Sequence, residues 1–191
     1  YKRQGKGWRI HRLRDNAAMI SLIAFLQHGR IGPWRPGADS TPQAVFAALG
    51  PPDEVYTPTD LDRSYRPGDA RCFPLIVGYG DIEFHFESET ALTTVFVDGF
   101  SGRGGYVRGG PLALTDTGIL RAGTPLARFL DNAARRGIAV GDVRPHAPPY
   151  AFLVTTSGGI EVGFEHDDPA SAGSVPRLNW FCWVARPCLL Y

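Results

Sequence analysis

Two stretches of the chain alternate apolar and polar residues with period two and read almost alike: Gly80-Asp81-Ile82-Glu83-Phe84-His85-Phe86-Glu87 and Gly158-Gly159-Ile160-Glu161-Val162-Gly163-Phe164-Glu165. Such alternation sends successive side chains to opposite faces of a strand. An apolar run precedes each across a glycine-containing turn, Leu75-Ile76-Val77 in one case and Phe152-Leu153-Val154 in the other. Each pair therefore predicts a hairpin. A third strand is expected after each hairpin, over residues 92–97 and 178–184.

Helix signals precede both hairpins. Asp39-Ser40-Thr41-Pro42 puts a hydroxyl at the expected N-cap and proline at the first helical position. Val45, Phe46 and Leu49 then form an apolar stripe, which Gly50-Pro51-Pro52 ends. Gly123-Thr124-Pro125 repeats the device, with Leu126, Phe129, Leu130 and Ala133 as the stripe and Gly137 as the stop. The two copies are offset by 83 residues at the helix, 78 at the hairpin and 86 at the third strand, differences that loop insertions absorb. The fold predicted is α+β, with two diverged helix-plus-antiparallel-hairpin repeats forming one sheet and the helices packed on one face. An amphipathic helix over residues 17–26 is expected before the first repeat.

The boundaries follow from this pattern. A leader occupies residues 1–18, the N-terminal helix and first repeat 19–98, a crossover 99–118 and the second repeat 119–191, all within one compact domain. Residues 98–110 contain six glycines and read as a flexible crossover. The glycines there match neither a dinucleotide fingerprint nor a P-loop.

Charge changes the picture at one place. Net charge is +1, yet Lys2, Arg3, Lys6, Arg9, Arg12 and Arg14 stand in the leader against Asp15 alone. From Met19 onward 14 basic residues face 18 acidic ones, a net of −4. The leader admits three readings: a disordered arm, an upstream extension with Met19 as the start, or sequence foreign to the natural chain. As a basic arm it would give weak nucleic-acid contact at most. Followed by the apolar residues 17–26 it also imitates a secretory signal, but Gln27-His28-Gly29-Arg30 lacks a small-residue cleavage site. No apolar run reaches 18 residues, so no membrane helix is expected. Cys72, Cys182 and Cys188 are odd in number and lack metal-ligand spacing, which fits a reducing cytoplasm and implies neither a disulfide framework nor zinc.

The succession from Arg35-Pro36-Gly37-Ala38-Asp39-Ser40-Thr41-Pro42 through Ala48-Leu49-Gly50-Pro51-Pro52-Asp53 to the strand Tyr79-Gly80-Asp81-Ile82-Glu83-Phe84-His85-Phe86 carries a resemblance. It resembles small bacterial proteins of the β-lactamase-inhibitor and outer-membrane-assembly-lipoprotein E group, closely over residues 31–98 and loosely over 119–184. The chain also resembles immunity proteins of bacterial polymorphic toxin systems. The resemblance implies a duplicated sheet with one face under helices and the other left to grip a partner. The lipoprotein branch is a poorer match, because no lipobox cysteine stands near the start.

Candidate chemistry is sparse. Glu83, His85 and Glu87 fall on one face of the first alternating strand, with Glu161 as the counterpart in the second copy. They offer either a solvated, partner-facing surface or an acid–base cluster. In the last strand uninterrupted alternation groups Phe181 and Trp183 with Asn179, and aromatic residues of this kind anchor protein interfaces. Asp60 and Asp62, in the long segment between helix and hairpin, offer acidic contacts to a basic partner. No nucleophile elbow or Cys/His signature is present. The function expected is a protein-binding inhibitor of immunity type, not an enzyme, without cofactor or metal. Two alternatives stand beside it: a small hydrolase or metal-dependent enzyme built on Glu83, His85 and Glu87, and an exported assembly module.

Overall fold

The computed structural model describes residues 19–58, 65–146, 151–166 and 174–185. Asp60, Asp62, Cys188 and the basic leader lie outside these residues. The first element is a strand, β1 (Met19–Ser21), and only then comes helix α1 (Leu22–His28), in place of the single helix expected over 17–26. Ser21 explains the break: extended itself, it accepts the Ala24 N–H through its hydroxyl and so caps α1. Gly29, in the left-handed region at φ +62°, ends the helix.

Helix α2 (Pro42–Leu49) starts as its sequence predicts, with Thr41 Oγ1 accepting the Ala44 N–H at 3.1 Å. The first four strands of the main sheet follow: β2 (Glu54–Tyr56), β3 (Leu75–Tyr79), β4 (Ile82–Ser88) and β5 (Ala91–Val97). After the crossover come β6 (Ala113–Thr115), helix α3 (Leu126–Arg135), then β7 (Arg144–His146), β8 (Ala151–Thr155), β9 (Ile160–Glu165) and β10 (Arg177–Val184). Strand β1 pairs in parallel with β6 in a separate two-stranded sheet.

The eight remaining strands form one antiparallel sheet in the order β2-β3-β4-β5-β10-β9-β8-β7. The chain is therefore α+β. Each quartet is a meander, and the last strands of the two meanders meet at the centre. Their registers match closely. Adding 78 to the β4 number and 86 to the β5 number turns Ile82–Val97 into Ile160–Trp183, Glu83–Phe96 into Glu161–Cys182, and His85–Thr94 into Gly163–Trp180. The irregularity matches too, because Phe86–Leu92 becomes Phe164–Leu178. Thr93 and Asn179 are thus the extra residues of two corresponding β-bulges.

Among the described residues the helices cover one face only. Phe25 of α1 meets Phe181 (ring centroids 6.2 Å apart), Trp34 meets Phe84 (5.5 Å) and Phe129 of α3 meets Phe164 (5.3 Å). Leu75, Val77, Phe84, Val95, Ile160, Val162 and Phe181 join these helices in one continuous core spanning both quartets. Burying each such side chain stabilises the fold by about 1.5–3 kcal/mol before entropy is counted.

Helix α3 departs from its sequence-based expectation by one residue. Pro125, not Thr124, sits at the N-cap, and no side chain caps the first turn. The entry is held instead by Leu126 N–H donating to Pro176 O and Leu178 N–H donating to Thr124 O. The crossover also differs from the flexible linker expected. Asp81, 8% exposed, accepts from Ser101 N–H (2.8 Å), Ser101 Oγ–H (2.5 Å) and Arg108 N–H (2.7 Å), while its own N–H donates to Arg108 O. Phe100 and Val107 are buried within the crossover itself.

Candidate functional site

The sheet face opposite the helices is where the chemistry collects. Glu54 and Tyr56 of β2, Ile76 of β3, Glu83 and His85 of β4, Thr94 and Phe96 of β5, Trp180 and Cys182 of β10, Glu161 and Glu165 of β9, Leu153 of β8 and Arg144 and His146 of β7 share it by register. Directly paired side chains on one face are in contact range, at roughly 4.5–5.5 Å between Cβ atoms. The face consequently reads as one surface.

A row of rings crosses its middle. His85 stands 6.5 Å from Phe96, Phe96 5.9 Å from Trp180, and Trp180 6.3 Å from His146, between ring centroids. The row therefore runs from β4 to β7. Trp180 belongs to β10 yet spans its neighbour, because β9 carries glycine beneath it: a Cβ added at Gly163 would lie 2.3 Å from the indole. The indole Nε1–H points to Glu165 Oε1 at 3.3 Å. Phe96 and Trp180 are half-buried, and Cys182 between them is buried.

Charge flanks the row on both sides. Glu83 Oε2 and His85 Nε2 are 2.9 Å apart, each side chain about one-third exposed at 35% and 33%. On the other side Arg144 Nη2 meets Glu161 Oε1 at 3.2 Å and Thr155 Oγ1 at 3.1 Å. Asp98, one residue past β5, has its carboxyl pushed above the ordinary range, first by desolvation and then by the charges of Glu83 and Asp81; His85 pulls it down. At the β2 edge an apolar groove of about 450 Å³ is lined by Tyr56, Pro58, Ile76, His85, Glu87 and Thr93.

Of the residues singled out from the sequence, Glu83, His85 and Glu161 lie on this face, and Glu87 is exposed in the groove at its edge. Asp60 and Asp62 fall outside the described residues. Phe181 and Trp183 require correction. They pair with Val97 and Val95 and with Val162 and Ile160, all core residues; Phe181 is 0% exposed and Trp183 packs on the core. The bulge at Asn179 is the cause, because one extra residue moves every later side chain to the opposite face. Trp180 takes the outward place instead.

A sequence signal for this existed. In β5, Leu92, Val95 and Val97 are not all two apart, which breaks the alternation at Thr93-Thr94 and marks a bulge. Leu178-Asn179-Trp180-Phe181 is the corresponding break in β10. Among the described residues no group of three or more His, Cys, Asp or Glu is arranged to hold a metal ion, and no helix is long and apolar enough to cross a membrane. Comparison with family models, with curated proteins and with solved structures finds no match to this chain.

Proposed function

We propose that this chain is a protein-binding inhibitor of immunity type, which occludes a toxin or enzyme with the helix-free face of its sheet. The observation that carries the reading is the row His85–Phe96–Trp180–His146, half-buried rings that no helix among the described residues covers, with the Glu83–His85 and Arg144–Glu161 ion pairs toward its two ends. Binding energy at protein interfaces concentrates in such aromatic anchors within a polar rim. Their rigidity limits the entropy lost on association.

The rim favours a cationic partner. Glu54, Glu83, Glu161 and Glu165 share the face, with Asp98 beside it, against Arg144, Arg177 and two histidines. An acidic surface speeds encounter with a basic protein more than it raises final affinity. The chain is further read as two diverged copies of one helix-and-meander unit; the matching β4–β5 and β9–β10 registers, bulge included, support this. A cytoplasmic site of action accords with the free, buried thiol of Cys72, since thiols persist in reducing compartments.

The test is co-expression with the product of the adjacent gene, scoring host viability with the wild-type chain and with Phe96→Ala/Trp180→Ala. Rescue by the wild type and its loss with a folded double variant is the expected result. Viability indifferent to the wild-type chain, or rescue unchanged by the double variant, would overturn the assignment to this face.

A further inference from the structure

Trp180 lies across the bare strand at Gly163, and the ring atoms nearest that glycine show its attitude. A Cβ there would meet the indole Cε2 at 2.3 Å, Cζ2 at 2.6 Å and Cδ2 at 2.7 Å. Cε2 and Cδ2 form the bond shared by the two rings, in the middle of the indole rather than at its rim. The indole therefore lays one face on the sheet, and its other face is directed away from the backbone.

Carboxylates stand on either side of that plate. Glu161 and Glu165 precede and follow Gly163 by two residues, so each points outward roughly 7 Å along β9 from the glycine. The indole Nε1–H donates to Glu165 Oε1 at 3.3 Å, and donation to an anion enriches the ring in electrons and strengthens its attraction for a cation. Glu161 is held by Arg144 Nη2 at 3.2 Å, and Glu165 faces Arg177 across the register. These arginines orient the carboxylates and balance their charge, so the electron-rich plate is what distinguishes this point of the face. A carboxylate offers about four acceptor sites, more than one arginine uses.

We infer, on the reading of this face as the partner-binding surface, that the partner's anchoring side chain is an arginine whose guanidinium stacks on the outward face of Trp180 and donates sideways to Glu161 and Glu165. A guanidinium is planar and carries its N–H groups around its edge, so stacking and edgewise donation are satisfied together. A lysine ammonium on the same ring is a compact point charge and leaves the two carboxylates out of line. Among aromatic side chains, tryptophan attracts a cation most strongly.

The test is a nuclear magnetic resonance titration of the full chain with acetyl-Gly-Arg-Gly-amide, with the lysine and citrulline peptides as controls. Stacking on an indole moves the arginine δ-CH2 resonance upfield through the ring current, a signature that ion pairing by itself does not produce. A saturable upfield shift is expected for arginine, with the neutral citrulline peptide bound about fivefold more weakly and lysine also weaker than arginine. Trp180→Leu, which keeps an apolar cover over Gly163, should abolish the shift. Glu165→Gln leaves the core untouched and should weaken binding about threefold. No saturable shift, a shift that persists in Trp180→Leu, or binding matched by citrulline or lysine would overturn the inference. The co-expression assay judges the underlying reading separately. Rescue lost with Phe96→Ala/Trp180→Ala but no arginine shift would keep the occluding face and remove the arginine, and an arginine shift with rescue unchanged would do the reverse.

Discussion

The two meanders share a register but solve the same surface problem differently. At one pair of corresponding positions the first meander carries the ring on β4, His85 facing the small Thr94, and the second carries it on β10, Trp180 facing Gly163. Total volume over the pair is maintained while the ring changes strand. The ion pairs diverge in the same way: Glu83 meets His85 along its own strand, whereas Glu161 reaches across the sheet to Arg144. A pair of facing positions, rather than a single position, is therefore the unit over which packing on this face is balanced.

The hairpin turns extend the comparison. Both are sealed by backbone from elsewhere in the chain. A Cβ at Gly80 would lie 2.3 Å from Arg108 O in the crossover, and one at Gly158 would lie 2.5 Å from Gly29 N and 2.6 Å from Leu26 O at the end of α1. Gly80 also occupies the left-handed region at φ +66°. Gly80→Ala should therefore cost about 3 kcal/mol and Gly158→Ala about 2 kcal/mol in urea unfolding. Equal or negligible losses would show that the two seals can relax and that the distinction between the turns is wrong.

The helix starts separate the halves at a smaller scale. Thr41→Ala removes the N-terminal side-chain cap of α2 and should cost about 1 kcal/mol. Thr124→Ala removes no cap, because its contribution is a backbone carbonyl, and should stay within about 0.5 kcal/mol. A comparable cost at both positions in equilibrium denaturation would restore the symmetric reading of the two Thr-Pro pairs.

The smallest effect concerns Asp98, whose register counterpart in the second half is Val184. Its carboxyl titrates higher in the folded chain than when unfolded, so its ionised form opposes folding above the folded pKa, and the opposition fades as pH falls through that value. Asp98→Asn should stabilise the protein at neutral pH by up to ~0.5 kcal/mol after solvent screening, and by nothing in acid. Stability curves against pH that stay parallel for variant and wild type would remove the charge cluster from the account.

Much of this architecture is legible in the alternating stretches. Ile82, Phe84 and Phe86, like Ile160, Val162 and Phe164, turn inward as period two requires, and Thr41-Pro42 starts a helix. The edge strands β2 and β7 are not legible, being three residues each, too short for any period to register, and β7 holds Pro145. The glycine-rich crossover misleads for a related reason. Glycine permits a mobile linker and a tightly seated one alike, and here the carboxylate of Asp81 selects the second.

The candidate face divides along the same line. Sequence alone places Glu83 and His85 outward, because their parity is set within a few residues of unbroken strand. The break in alternation over Leu178–Phe181 marks a bulge without saying which residue is inserted, and because one inserted residue at Asn179 reverses the parity of all that follows, the cross-strand pairing to β9 is what orients Phe181 and Trp180. Alternation, helix starts and glycine turns are local properties, so the amino-acid order determined the elements and their inward faces. The meeting of β5 with β10 and the ring row crossing from β4 to β7 join residues far apart in the chain. Only the tertiary structure decided these, because burial and pairing are gained only when the distant segments come together.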